Sequence, residues 1–150
     1  MSDAEHIPDL LSLASNISRL QEVQRLAAKK LLDYDGEIYP LDGCAITLSI
    51  LFQEAGISIG DTFQAFVLGN LLKDERNWKA VKVGEQKNGD VGSTCGSRPN
   101  HGQDHIYLVL RGLNPDEMVV ADNQDTEPHF RYASGKGGKT PTKFFLRAPE

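Results

Sequence analysis

His105-Ile106-Tyr107-Leu108-Val109-Leu110 and Glu117-Met118-Val119-Val120-Ala121 flank the turn Asn114-Pro115-Asp116, and this stretch decides how the chain folds. Both runs are short and rich in β-branched and aromatic residues, and the Asn-Pro-Asp between them favours reversal, so they pair as an antiparallel hairpin. Alternation puts Ile106, Leu108 and Leu110 toward the core and His105, Tyr107 and Val109 on the opposite face. Pairing also returns the residues after Ala121 to the end where His105 begins. Asp122, Asn123 and Gln124 are therefore candidates to bond one imidazole nitrogen, and Asp122 and Gln124 face the same way.

Further short strands are predicted at Lys79–Val83, Asp90–Val91, His129–Tyr132 and Lys143–Arg147, separated by Gly, Asn and Pro clusters. The first half reads differently. Leu10, Leu13, Ile17, Leu20, Val23, Ala27 and Leu31 recur every three or four positions, which predicts an amphipathic helix from Asp9 to about Leu32, interrupted near Ser15-Asn16. A second helix starts near Cys44, is apolar nearly all round, and stops at Gly56. A third, Thr62 to Leu72, has Asp61 as its expected N-cap. His6 falls in an expected frayed terminus. Helices first and antiparallel strands second define an α+β domain, with residues 1–33 as an N-terminal helical segment and 34–150 as the core that carries the chemistry.

Composition narrows the function. The 150 residues are 39% apolar and 25% charged, which is globular, and 16 Lys+Arg against 21 Asp+Glu give a net charge of −5, so no overall field draws a phosphate backbone. Nucleic acid is not an expected partner. No apolar run is long enough to span a bilayer, so no membrane insertion is expected. Met1–Pro8 has neither a basic n-region nor an apolar h-region, so no Sec signal is read; action outside the cytoplasm would need a specialised secretion machine or lysis. Arg131, Lys136, Lys139, Lys143 and Arg147 crowd the last twenty residues and can supply a local basic patch, with a solvated face as the plainer alternative.

Cys44 follows the turn Asp42-Gly43 and opens a buried helix, where unpaired backbone N–H groups favour a thiolate. The plainer alternative is a small core residue. With His105 and a carboxylate or amide at 122–124, it makes a nucleophile, a base and an orienting group. His101 and Asp104 flank the histidine strand and can line a cleft. His129 reads as exposed. Cys95 sits in a polar loop and reads as an ordinary loop thiol or half-cystine; a zinc site from Cys95, His101 and His105 matches no common spacing and lacks a fourth ligand.

Asp42-Gly-Cys44, the helix Ala45–Ala55 followed by Gly56-Ile57, Gly89-Asp90-Val91, His105–Leu110 and Val119-Val-Ala-Asp122-Asn-Gln124 resemble the ordered landmarks of the CHAP amidohydrolase/peptidases and their NlpC-type relatives. The resemblance covers about Tyr34 to Gln124. It implies a papain-like fold, N-terminal helices on an antiparallel sheet of about five to six strands, and hydrolysis of an amide in peptidoglycan peptides by a triad of Cys44, His105 and Asp122. Gln124 is the alternative third member and Asn123 a support; Tyr34 and Gly43 join His101 and Asp104 as oxyanion or cleft residues. No cofactor and no metal are implied. The family commonly has Asp-Cys-Ser-Gly and an aromatic, whereas Gly43 precedes Cys44 here and Ala45-Ile46-Thr47 follows it. Secreted bacterial amidase effectors are similar, which implies a cognate inhibitor as a partner. Two other readings are a papain-like deamidase or protease acting on an intracellular protein, and an inactive binding module.

Overall fold

The computed structural model describes residues 1–150 and is an α+β arrangement of four α-helices and one six-stranded antiparallel sheet. Helices α1 (Asp3–Ser15) and α2 (Ile17–Asp35) come from the single predicted amphipathic stretch. The break falls at Asn16, whose side chain accepts from the Arg19 N–H at 3.1 Å and so starts the second helix. Gly36, at φ +80°, ends α2 in the left-handed conformation that glycine adopts without strain.

The amino terminus is not frayed. Ser2 and Glu5 form a reciprocal capping box on α1, and the buried Asp3 carboxylate accepts from Arg76 Nε at 2.8 Å, Arg76 Nη2 at 2.6 Å and Trp78 Nε1 at 2.8 Å. His6 packs under Gly56, where a Cβ would fall 2.8 Å from its ring. Periodicity begins at Leu10, so the pattern of apolar residues cannot register a helix start that is held by polar contacts.

Helix α3 (Cys44–Glu54) is buried at every position from Cys44 to Phe52. Its hydroxyls are satisfied locally, Thr47 Oγ1 donating to Gly43 O at 2.7 Å and Ser49 Oγ to Ala45 O at 2.8 Å. The third helix is shorter than predicted. Asp61 does not cap it, because its carboxylate is taken by Lys30 at 2.7 Å and Gln53 at 2.9 Å. The chain stays extended at Gln64, α4 runs from Ala65 to Asn70, and a π-helical turn, Leu71–Glu75, follows.

The strands are β1 (Lys79–Val81), β2 (Val91–Ser93), β3 (Ile106–Gly112), β4 (Glu117–Ala121), β5 (His129–Tyr132) and β6 (Phe144–Arg147), in sheet order β1-β6-β2-β3-β4-β5. The predicted hairpin is β3–β4, with Leu108 opposite Ala121 and a bulge between Val109 and Arg111. Ile106, Leu108 and Leu110 face the helices in the main core. The opposite face is also dry. Tyr107, Val109, Met118, Val120, Ala133 and Phe145 form a second, smaller core, and a Cβ at Gly92 would collide with the Tyr107 ring. This face is covered by chain rather than helix. Arg131 lies 4.8 Å from the Tyr107 ring centroid, and Tyr107 Oη bonds Thr142 Oγ1 at 2.6 Å. The expected basic patch is therefore divided: Arg131 is buried and Arg147 pairs with Asp90, which leaves Lys136, Lys139 and Lys143 at the surface.

Candidate functional site

Helix α3 and the β3–β4 hairpin bring Cys44, His105 and the residues after Ala121 to one end of the sheet. Cys44 and His105, with Asn123 and Gln124, line a single cleft of about 490 Å³, which Asp42, Asp104, Arg131 and Lys139 also border. A small adjoining cavity of about 30 Å³ runs from Cys44 past Phe63, Phe66 and His101.

His105 lies one residue ahead of β3, held by a hydrogen bond from its N–H to Thr94 Oγ1 at 2.9 Å. Its Nε2 meets Asp122 Oδ2 at 2.8 Å, and Nδ1 has no protein partner. Asp122 is buried just past β4. Its other oxygen, Oδ1, meets His129 Nε2 at 2.8 Å and accepts from the Gln124 N–H at 2.8 Å. Burial pushes the Asp122 carboxyl up, but hydrogen bonds and charge attraction from both imidazoles outweigh it and hold the group well below the ordinary carboxylate range. His129 is raised in turn, chiefly by its bond to Asp122. Asp122 is thus an ionised acceptor for the Nε2–H of His105, a tautomer that leaves the Nδ1 lone pair free to take a proton.

His129 is the residue the sequence reading placed wrongly. It opposes Val120 in the β4–β5 pair, and Val120 and Asp122 share a face, so strand register delivers it to the carboxylate. Pairing β5 with β4, as β4 was paired with β3, is the signal that would have found it.

Cys44 opens α3, and its N–H lies in the first helical turn, where it has no intrahelical acceptor. The side chain is buried, and burial pushes the thiol up to about 12; the backbone at Ile106 and Ala45 works against this rise and the Asp122 charge adds to it. The helix N-terminus therefore does not make a resting thiolate, because desolvation of the sulfur outweighs it. Cys95 is also free and buried, on the β2–β3 connection, with its thiol likewise raised by burial.

The other residues divide. Asn123 Nδ2 donates to Pro40 O at 2.6 Å, tying the end of β4 to the turn that carries Cys44. Gln124 contacts Asp122 through its backbone, and its side chain turns toward Arg131 and Lys139. Gly43 is packed against Tyr39, where a Cβ would fall 2.8 Å from the ring. Tyr34 is outside the cleft, 60% exposed and stacked on Phe63 at 3.9 Å. Asp104 Oδ2 accepts from the Asn100 N–H at 2.8 Å. His101 is apart from Cys95 and His105; it pairs with Asp42 at 3.2 Å, and with Glu37 these form a three-residue cluster on the rim.

No family model, curated protein or solved structure matches this chain.

Proposed function

We propose that the protein is a papain-like cysteine hydrolase that cleaves an amide bond in peptidoglycan stem or cross-link peptides. The observation that carries the reading is the polarised imidazole: His105 Nε2 is fixed on a buried, ionised Asp122 while Nδ1 remains free in the cleft that Cys44 shares. In this scheme Nδ1 takes the Cys44 proton as the sulfur attacks the amide carbon. The oxyanion is held by the Cys44 N–H. Collapse breaks the C–N bond, His105 returns the proton to the departing amine, and a thioester remains. Water, deprotonated by the same imidazole, then hydrolyses the thioester and restores the thiol. Burial keeps the Cys44 thiol protonated at rest, so proton transfer accompanies attack instead of preceding it.

An antibacterial effector or lysis enzyme is the setting that suits this activity, with a cognate inhibitor seated in the Cys44 cleft. One observation favours a second reading, an inactive binding module: the Cys44 thiol is pushed up, not down. Incubating wild type and Cys44→Ala with isolated sacculi and separating the released muropeptides by mass distinguishes these. Loss of cross-linked dimers with wild type alone supports the amidase and identifies the bond; intact muropeptides with both proteins overturn it.

A further inference from the structure

Arg131 is the most buried arginine and has no carboxylate. Arg76 is bound by Asp3 and Arg147 by Asp90, each through two guanidinium nitrogens, but Arg131, only 3% exposed, has Nη2 on Thr140 O at 2.9 Å and Nη1 no closer than 3.5 Å to Gln124 Oε1. Its stacking on Tyr107 offsets part of the cost of burying a permanent charge, and its Nε has no partner at all. Lys139 Nζ approaches the same Gln124 oxygen, also at 3.5 Å. Two cations thus converge on one neutral oxygen at a distance where neither makes a strong bond, and all three side chains border the Cys44 cleft.

A second orphan belongs to the same cleft. Among buried side-chain polar atoms, only Arg131 Nε and Asn123 Oδ1 lack a hydrogen-bond partner. The Asn123 orientation is fixed chemically: Pro40 O can only accept, so the amide nitrogen must face it, and the oxygen is left as an unused acceptor. That oxygen is closed off in the cleft wall, so what the cleft offers a ligand is a pair of cations with no anion between them. A carboxylate entering the cleft would satisfy both cations.

We propose that Arg131 and Lys139 form a subsite for a free carboxylate on the substrate, the carboxylate entering between the two cations. Combined with the cysteine amidase reading, on which the substrate assignment rests, this makes the cleaved amide one that neighbours a free, unamidated carboxylate.

The binding test needs no activity. The Arg131 Nε–H resonance of the ¹⁵N-labelled protein, assigned by its loss in Arg131→Lys, is followed while N-acetylglycine or the neutral N-acetylglycinamide is added. A saturable shift is expected for the acid, with the amide binding at least tenfold more weakly. Lys139→Ala, a surface change that leaves folding intact, should weaken the acid at least fivefold and leave the amide unaffected. Equal responses to the two compounds, or none to either, overturn the subsite. Digestion of sacculus peptides in free and amidated carboxylate forms separates the two claims. Acid binding with neither form digested keeps the subsite and overturns the peptidoglycan substrate, whereas equal digestion of both forms keeps the enzyme and overturns the subsite.

Discussion

Asp90 and Asp122 are alike in position and burial and opposite in use. One lies just before β2 and the other just after β4, the two strands that flank β3, and both are almost fully enclosed. Asp90 is neutralised by Arg147, through Nε at 2.9 Å and Nη2 at 2.7 Å, and also accepts from the Lys87 N–H at 2.8 Å. Asp122 is bound by two imidazoles. A guanidinium keeps its proton at any pH the protein survives, so Asp90 is in a fixed strut. An imidazole gives and takes a proton near neutrality, so Asp122 is in a group that can work. The partner, not the depth of the carboxylate, decides which is which.

Exchanging each carboxylate for its amide gives the largest contrast. Asp122→Asn removes the acceptor that fixes the His105 tautomer and should lower muropeptide release by about 10²–10⁴-fold with the fold retained. Asp90→Asn should leave the activity of folded protein near wild type. Comparable losses in the two variants would break the comparison. Stability should run the other way. Arg147→Met strands a buried carboxylate and is expected to cost about 3 kcal/mol in urea unfolding, unlike any single change at the surface.

The dependence on pH sharpens the distinction. His129 is raised in the folded protein, so its contribution to stability is complete below about pH 6.5 and is lost as pH rises through the higher folded value. Asp122 is depressed, so its contribution is present above about pH 4 and is lost as pH falls toward the lower folded value. Wild type should therefore lose about 2–4 °C of Tm per kcal/mol as pH rises past neutrality, and His129→Asn should flatten that slope. Arg147→Met should keep it, because that change leaves the His129–Asp122 contact in place. The smallest effect is expected at Tyr34, where Tyr34→Phe preserves the exposed stack on Phe63 and should change neither activity nor stability by more than about 0.5 kcal/mol. A fall in activity there would restore Tyr34 to the chemistry.

The parts legible in the sequence are those set by periodicity and chain reversal. Alternation gave the hairpin, and antiparallel return brought Asp122 to His105; the all-round apolar run from Cys44 marked a helix within the core. The misplaced parts depend on polar partners that periodicity does not encode. Asp61 looks like a cap until Lys30 and Gln53 claim it, and His6 looks frayed until Asp3 anchors the helix around it. His129 depends on the β4–β5 register, which the alternation within either strand does not set. For Cys44 the helix end and the burial of the helix were both legible, and their relative magnitudes were not: enclosure of the sulfur outweighs the expected thiolate.

The Asp3 knot has a practical consequence for dissecting this chain. Arg76 and Trp78 reach across 73 and 75 residues to a carboxylate in the first turn of α1, while Leu10, Leu13, Leu20 and Val23 fill the same core as α3. A fragment cut to begin at Tyr34 would keep every residue of the cleft and lose the partner of the Trp78 indole together with one wall of the core. Such a minimal version should be recovered as insoluble material, and a bulky fusion abutting Ser2 should weaken the whole protein. The helical segment that the sequence sets apart from the core is a keystone of the fold.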